Sequence, residues 1–257
     1  MFTDTHTHLY LPEFDSDREA LLQSAFEKNI RRFFLPNIDS SSIDSMLHLS
    51  RKYSGKMFPM FGLHPCSVKE NFEEELKIVE KCLKENKFFA IGEIGIDLYW
   101  DKTFVKQQEI VFRKQIDWAV EYNLPIVIHS RNSWEEIYNI LIEIRNEGKR
   151  VRGIFHCFSG TAEQAKKIIE LGNFMLGIGG VVTFKNSGLD KVVEQIDMKH
   201  IVLETDAPYL APAPFRGKRN IPEYLIHIAK KIAEIKNLSL QEVEEITTAN
   251  SKEIFGI

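Results

Sequence analysis

The sequence predicts an α/β protein with a TIM-type (β/α)8 barrel, formed by residues 1–257 as a single domain. Short apolar runs alternate with amphipathic stretches of helical period eight times along the chain. The 257 residues, 44% of them hydrophobic, are enough to build one barrel with a large core. No Pro- or Ser-rich linker, charge block or low-complexity tract divides the chain. A doubly wound open sheet shares this alternation and is the alternative fold.

The first half of the chain contains four strand–helix units. The apolar residues Ala20, Leu21, Leu22, Ala25 and Phe26 recur at helical spacing, which predicts the first helix. The predicted elements are a strand at Phe2–Thr5, a helix at Asp15–Asn29, a strand at Arg32–Pro36, a helix ending near Tyr53, a strand at Met57–Leu63, a helix at Phe72–Glu85, a strand at Phe88–Gly92 ending at Glu93, and a helix from about Thr103 to Tyr122.

The second half repeats this order and closes with two helices. The predicted elements are a strand at Pro125–His129, a helix at Trp134–Asn146, a strand at Arg152–His156, a helix at Ala162–Leu171, a strand at Phe174–Ile178, a helix at Gly188–Ile196, a strand at Ile201–Glu204, and helices near Tyr224–Lys236 and Leu240–Phe255.

Charge and cysteine content limit the class of function. The net charge of -4 argues against a protein that coats duplex DNA by bulk charge, so any nucleic-acid contact should be local. Cys66, Cys82 and Cys157 include no C-x-x-C pair, which predicts free thiols. No leader-like segment and no run of about 18 apolar residues is present, so we expect a cytoplasmic protein without membrane contact. No obligate protein partner is indicated.

Glu93 is the first residue that indicates chemistry. The five residues before it are apolar or Gly, as in a strand that is buried on both faces of a parallel sheet. A carboxylate at the end of such a strand is costly unless a cation accompanies it. We therefore interpret Glu93 as a metal bridge.

Other polar residues also follow predicted strands. His6 and His8 are two residues apart after the first strand, so both side chains point to the same side. His129, His156 and Asp206 follow three later strands. A single histidine in such a place is more often a buried imidazole bonded to backbone. Four histidines and two carboxylates at the ends of five strands instead predict a site at one mouth of a barrel, where such enzymes place their chemistry.

This set of nitrogen and oxygen ligands suits Zn²⁺, Mn²⁺ or Mg²⁺ and is too large for one open catalytic ion. We expect two divalent ions, with Glu93 as the bridge. His6, His8 and Asp206 would complete one site, and His129 and His156 the other. Two cations and two carboxylates leave a local charge of about +2, which would attract a phosphate.

Several motifs carry a resemblance to a known family. They are Asp4–His8, Gly62–Pro65, Gly92–Asp97, Leu124–Arg131, His156–Gly160, and Glu204–Leu210 continuing to Arg216–Asn220. With these motifs the chain resembles the TatD family of metal-dependent hydrolases, a branch of the amidohydrolase-type barrels, from Asp4 to the last helix.

The resemblance implies a TIM barrel with a two-metal centre and deoxyribonuclease activity, often from DNA ends. It places the metal ligands on His6, His8, Glu93, His129, His156 and Asp206, and it places His64 beside the site. Cys66 is a departure, because many members have a second histidine there. That difference affects the substrate contacts at this edge and leaves the metal site unchanged.

Further residues have two interpretations each. Arg216, Lys218 and Arg219 are candidates for contacts to backbone phosphates, and a solvated basic loop is the alternative. Tyr99, Trp100 and Phe104 are able to stack on the bases of a single strand, but packing in an aromatic core is the interpretation that we favour from sequence.

The function predicted from sequence is hydrolysis of DNA phosphodiester bonds by a water that two metal ions activate. Asp206 is the predicted general base, since metal-bound imidazoles lack a free lone pair and Glu93 is occupied as the bridge. One alternative is an ester or amide hydrolase, such as an enzyme that removes an amino acid wrongly attached to tRNA. Another is a barrel with structural metals that binds a partner, and its metal sites would be closed.

Overall fold

The computed structural model describes all residues, 1–257. Eight strands alternate with helices along the chain, and a ninth helix follows at the end. The strands are β1 (Phe2–Asp4), β2 (Ile30–Pro36), β3 (Met57–Met60), β4 (Ile91–Asp97), β5 (Ile126–Arg131), β6 (Gly153–Phe155), β7 (Phe174–Ile178) and β8 (Ile201–Leu203). The helices are α1 (Arg18–Glu27), α2 (Ile43–Lys52), α3 (Phe72–Glu85), α4 (Val105–Glu121), α5 (Trp134–Asn146), α6 (Ala162–Glu170), α7 (Leu189–Gln195), α8 (Leu225–Lys236) and α9 (Leu240–Phe255).

The strands form a closed barrel. β1 to β3 and β4 to β8 make two parallel ladders in sequence order. Phe61 joins the ladders on one side, because its N–H donates to the Ala90 carbonyl and its own carbonyl accepts from Gly92 N, both at 3.0 Å. On the other side Thr5 N donates to the Leu203 carbonyl at 2.9 Å. The predicted TIM-type barrel is confirmed, and the open sheet is excluded because β8 is joined to β1.

The barrel interior is a separate small core. It contains one or two side chains from most strands together with the end of α9: Phe34, Phe58, Met60, Ala90, Val127, Ile154, Met175, Val202, Ile254 and Phe255. The Phe255 ring stacks on Phe34 with centroids 3.7 Å apart. Arg152, just before β6 begins, donates to the Ile254 carbonyl. The end of α9 therefore closes the amino-terminal end of the barrel, and only the carboxyl-terminal mouth is left open.

The larger core lies between the strands and the surrounding helices and contains 52 buried residues. Strand alternation divides side chains between the two cores. In β5, Ile126 and Ile128 belong to the outer core, whereas Val127 belongs to the inner one. His129 is two residues beyond Val127, so the same alternation directs its side chain into the mouth of the barrel.

The structure corrects the position of β4. The prediction that Phe88–Gly92 forms this strand and that Glu93 ends it is wrong, because the strand spans Ile91–Asp97 and Glu93 lies inside it. Gly95 belongs to the strand and not to a turn. It has φ +147°, and a Cβ there would lie 2.0 Å from the His129 carbonyl oxygen of β5. Glu93 and Asp97 therefore share one side of the same strand.

The other predicted elements differ from the observed ones by no more than a few residues at their ends, and α3, α5, α9 and β7 agree at both ends. The three cysteines are unpaired, which confirms the predicted free thiols. None of the nine helices combines the length and apolar character that are needed to cross a membrane.

Candidate metal centre

The side chains at the mouth continue the inner faces of the strands. Ile154 and Val202 point into the barrel, and His156 and Glu204 follow two residues later on the same faces. Asp206 lies two residues beyond Glu204. Because of this alternation, a ring of imidazoles and carboxylates lies directly above the inner core. The ring is at the carboxyl-terminal end of the barrel, where TIM barrels place their chemistry.

Glu93 is at the centre of this ring. Its Oε2 atom lies 3.2 Å from His6 Nε2 and 3.8 Å from His8 Nε2. Its Oε1 atom lies 2.8 Å from His129 Nδ1 and 3.8 Å from His156 Nε2. Each carboxylate oxygen therefore faces a different pair of histidines, and the pairs are the two that the sequence groups together.

Asp206 completes the cluster from the segment that follows β8. Its Oδ1 atom lies 3.8 Å from His6 Nε2, 3.6 Å from His8 Nε2 and 3.7 Å from His156 Nε2. Its backbone has φ +57°, a left-handed conformation that Asp and Asn tolerate better than other side chains do. Asp206 N also donates to the His6 carbonyl at 2.9 Å, which fixes the residue against the chain that follows β1.

The buried polar atoms in this cluster fit divalent cations. His6 is fully buried, and neither of its ring nitrogens has a hydrogen-bond partner. Burial lowers the pKa of His6, His8 and His156, so these imidazoles are neutral and have lone pairs to offer. Ligands about 2.1 Å from one tetrahedral ion lie roughly 3.4 Å from one another. The separations of 3.2 to 3.8 Å around Glu93 Oε2 and Asp206 Oδ1 are close to that value.

Polar partners behind the ring select which nitrogen of each histidine faces the centre. Tyr10 donates its hydroxyl proton to the Pro36 carbonyl, so its oxygen accepts from His8 Nδ1 at 3.0 Å and His8 Nε2 is left free. Glu204 Oε1 lies 3.0 Å from His156 Nδ1 without the geometry of a hydrogen bond, and this carboxylate oxygen favours a proton on Nδ1, which leaves the lone pair on the inward nitrogen. Gly177 makes room for Glu204, because a Cβ there would lie 2.3 Å from Glu204 Oε2.

Asp97 has the same relation to His129. Its Oδ2 atom accepts from His129 Nε2 at 2.8 Å, and the other ring nitrogen faces Glu93. Burial by itself would lower the pKa of His129, but the hydrogen bonds to Asp97 and Glu93 raise that pKa to about 9. A cation beside Glu93 would therefore displace a proton from Nδ1, while Asp97 keeps the proton on Nε2.

We expect Asp97→Asn to weaken cation binding on the His129 side by roughly 10- to 100-fold, the usual effect of removing such a partner. The amide NH₂ group would face His129 Nε2, which favours the tautomer with its proton on Nδ1, where a ligand lone pair is needed. Titration of metal-depleted protein, followed by binding heat and metal content, measures the effect. The matched control is Asp101→Asn in the loop that follows β4, where Asp101 pairs only with Lys69 and Thr103. Equal cation affinity in Asp97→Asn and parent would contradict the role of Asp97.

His64 differs from the other histidines at the mouth. Its Nδ1 atom accepts from Cys66 N at 3.1 Å, so the ring proton is on Nε2, which lies 3.4 Å from Glu93 Oε1. His64 is therefore arranged as a hydrogen-bond donor at the edge of the centre. Cys66, the position that departs from the family pattern, is half-buried and lines the same cavity.

The centre opens into a cavity of about 760 Å³ at the mouth. His8, His64, Glu93, His129, His156 and Asp206 line it, with Trp100, Arg131 and Tyr209 at its rim. The structure thus brings together the six predicted ligands and His64. Arg216 and Lys218 are exposed in the loop after β8 and do not line this cavity, and the Arg216 guanidinium lies over the Phe184 ring at 4.6 Å. Their contacts with phosphates stay a prediction.

Sequence reasoning missed Tyr10, Asp97 and Glu204, which lie behind the histidines and contact the ring nitrogens that face away from the centre. Two of the three carried a usable signal. Asp97 is four residues after Glu93, and Glu204 is two residues before Asp206, so strand alternation places each on the same face as a predicted ligand. The early end assigned to β4 hid the first of these relations.

Comparison with known proteins identifies the family of this chain. The family model described as TatD related DNase matches residues 3–256. A protein of Bacillus subtilis called the uncharacterized metal-dependent hydrolase YabD is 40% identical and is aligned over 100% of both chains. The uncharacterized metal-dependent hydrolase BU355 of Buchnera aphidicola is 33% identical over 99% of this chain and 98% of its own.

Solved structures share the fold. The crystal structure of YjjV, a TatD homolog from Escherichia coli, superposes with a TM-score of 0.92 at 28% identity and covers 100% of this chain and 98% of its own. A TatD family hydrolase from Entamoeba histolytica superposes with a TM-score of 0.82 at 23% identity, over 99% of this chain and 97% of that one, and shows the fold alone.

Proposed function

Because the chain belongs to the TatD-related family of metal-dependent hydrolases, we propose that it hydrolyses phosphodiester bonds of DNA at a centre that holds two divalent cations. His6, His8, Glu93, His129, His156 and Asp206 would hold the ions. The preferred substrate in this proposal is a DNA strand that is cleaved from its end. The family description and the geometry of the mouth support these statements.

The main support for the proposal is that the two carboxylate oxygens of Glu93 face different pairs of histidines. His6 and His8 face Oε2, and His129 and His156 face Oε1. Five histidines, His64 among them, lie within 4 Å of the buried carboxylate. Although burial opposes ionisation, His64 and the hydrogen bond from His129 hold the pKa of Glu93 well below its usual range. Glu93 is therefore an anion with one oxygen available to each of two cations.

Two divalent cations bound there would activate a water and stabilise the negative charge that develops on a phosphate in the transition state. The residues of the chain supply the remaining functions. Asp206 lies beside both histidine pairs and is free to accept a proton from the attacking water. His64 Nε2 is a fixed donor toward the same centre and is able to bond an oxygen of the substrate.

The shape of the mouth supports cleavage from an end. The inner core and α9 close the barrel below the centre, so the cavity has a floor. A volume of about 760 Å³ is within the range of pockets for small ligands and suits about one or two nucleotides. A strand terminus is able to enter such a cavity, whereas an intact duplex has to remain outside it.

We place the activity in the cytoplasm. The support is that Cys66, Cys82 and Cys157 are all unpaired, as is usual where thiols are kept reduced.

The proposal is tested by restoring metal-depleted protein with Mg²⁺, Mn²⁺ or Zn²⁺ singly and offering several substrates side by side. These are linear single-stranded DNA, circular single-stranded DNA, duplex DNA, RNA and an aminoacyl-tRNA ester. We expect cleavage of the linear single strand, slower cleavage of the duplex, and no cleavage of the circle. Chelated protein should be inactive in every assay.

Glu93→Gln protein that is purified in parallel is the control for contaminating nucleases, since a contaminant would remain active in both preparations. Hydrolysis of the aminoacyl ester without cleavage of any DNA would overturn the proposal and favour the ester and amide hydrolase. Rapid cleavage of circular DNA would retain the nuclease and contradict cleavage from ends.

A further inference from the structure

Two large aromatic side chains are exposed beside the metal centre. Trp100 is 68% exposed and Tyr99 is 53% exposed, in the segment that follows β4. The expectation that these residues pack in the core is therefore wrong for both of them. It is confirmed for Phe104, which packs against the main core. Exposing two adjacent aromatic rings leaves much apolar surface in contact with water, and that surface is available to a ligand.

A cation lies against these rings. The Arg131 guanidinium is 3.9 Å from the Tyr99 ring centroid and 5.1 Å from that of Trp100. The two rings are nearly perpendicular, at 87°, with centroids 4.9 Å apart. Arg131 forms no ion pair with a carboxylate, so its charge is available to a phosphate.

Hydrogen bonds fix the backbone of the group formed by Tyr99, Trp100 and Arg131. Asp97 Oδ1 accepts from Tyr99 N at 2.9 Å and from Trp100 N at 3.1 Å. Leu98 N donates to the Arg131 carbonyl at 2.9 Å, which extends the pairing of β4 with β5. The group is therefore held in place before a ligand arrives, which reduces the entropy that binding costs.

The group is also tied to the metal centre. Asp97 holds Tyr99 and Trp100 with one carboxylate oxygen and His129 with the other. Trp100 and Arg131 line the same cavity as Glu93 and Asp206. A molecule that rests on the indole is thus within the cavity in which the proposed chemistry takes place.

We propose that Tyr99, Trp100 and Arg131 form a stacking platform that holds one unpaired base of the strand whose phosphodiester bond is cleaved. This inference rests on the proposed nuclease function and names the form of its substrate. The indole is able to stack on any base, so the platform accepts any sequence, and Arg131 is able to bond a phosphate of the same strand. A base inside a duplex has both faces covered, so the platform selects single-stranded ends.

The test compares Trp100→Ala with the parent on a set of single-stranded oligonucleotides that each carry one abasic nucleotide at successive positions from the cleaved end. On the oligonucleotide with all its bases, we expect KM for Trp100→Ala to rise by about 5- to 150-fold, the usual worth of one stacked base. When the missing base is the one that would rest on the platform, KM of the parent should rise by a similar factor. With that oligonucleotide, Trp100→Ala and the parent should have the same KM. Trp100→Phe should restore most of the affinity.

Two measurements separate the platform from general damage. Circular dichroism and metal content of Trp100→Ala should match those of the parent, which would show that the fold and the metal centre are intact. The control Ile110→Ala removes another exposed apolar side chain, 56% exposed on α4, and should leave every KM unchanged. An equal loss of affinity for every abasic oligonucleotide, or no loss with the complete one, would overturn the platform.

A fluorescence measurement keeps this inference distinct from the nuclease proposal. Trp118 is buried and Trp134 half-buried, so Trp100 is the most exposed of the three indoles. Nucleoside monophosphates should quench the parent fluorescence, and Trp100→Ala should lose that quenching. If the parent cleaves no DNA but shows this difference, the nuclease proposal fails, while the binding of a base at Trp100 stands. If it cleaves DNA without any such quenching, the platform fails alone.

Discussion

Replacing Glu93 with Gln should remove both cations and reduce turnover by at least about 10³-fold, since a bridging carboxylate serves two sites at once. Each of its oxygens faces a different histidine pair, at 3.2 and 3.8 Å on one side and at 2.8 and 3.8 Å on the other. Gln has nearly the same volume, but its amide NH₂ group would face one of these pairs, and its remaining oxygen carries no full charge. Cation binding should therefore fail on both sides.

His129→Ala is the informative comparison for Glu93→Gln. His129 lies beside Oε1 only, so its removal should weaken one cation and leave the one near His6 and His8 in place. Metal content after dialysis, with circular dichroism of the same samples, measures both variants. Glu135→Gln, an exposed carboxylate at the start of α5, is the matched control for the loss of one negative charge. Intact content of both cations in Glu93→Gln would refute the bridge.

The convergence of the candidate ligands was largely predictable because most of it follows from strand alternation. Val127, Ile154 and Val202 are apolar residues of the inner core, and the polar residue two positions beyond each faces the same way. Parallel strands in a barrel end at one mouth, so residues that are remote in sequence converge there. The ends of the strands are therefore enough to group His129 and His156 with His6 and His8, and Asp206 follows two residues beyond Glu204.

Features that depend on contacts between strands were not predictable. Gly95 resembles a turn residue in sequence, but it is required because the His129 carbonyl of β5 approaches β4 closely. The choice of ring nitrogen depends on Tyr10, Asp97 and Glu204, whose relations to the histidines are spatial. The exposure of Trp100 was also hidden, because an aromatic residue near apolar neighbours has the same sequence pattern in a core and at a rim.

Asp206 differs from the other members of the centre because it is able to move a proton as well as to bind a cation. The neutral histidines His6, His8 and His156 would use their inward lone pairs as ligands. Burial raises the pKa of Asp206 to about 8, against the lowering effect of His156, so its carboxylate accepts a proton more readily than an exposed aspartate does. Cations beside it would draw that pKa down again.

We expect Asp206→Asn to keep the fold while the chemical step slows by roughly 10²- to 10⁴-fold, the usual worth of general-base catalysis. Asn is the appropriate replacement because it tolerates φ +57° as Asp does and keeps one acceptor oxygen. Binding of the DNA strand should largely survive, since the platform and the other ligands are unchanged. Single-turnover cleavage at saturating metal, with metal content measured in the same samples, isolates the chemical step from a loss of cation.

The outcome for Asp206→Asn separates three roles of this carboxylate. A slow chemical step with full metal content identifies Asp206 as the base. A slow step that recovers entirely when the metal concentration is raised identifies it as a ligand only. A fully metallated variant that hydrolyses DNA at the parent rate would show that the attacking water loses its proton without help from Asp206. Glu93 is a poor alternative acceptor, because its pKa is held well below the usual range and its two oxygens face the two histidine pairs. The proton would then leave to solvent through the open mouth.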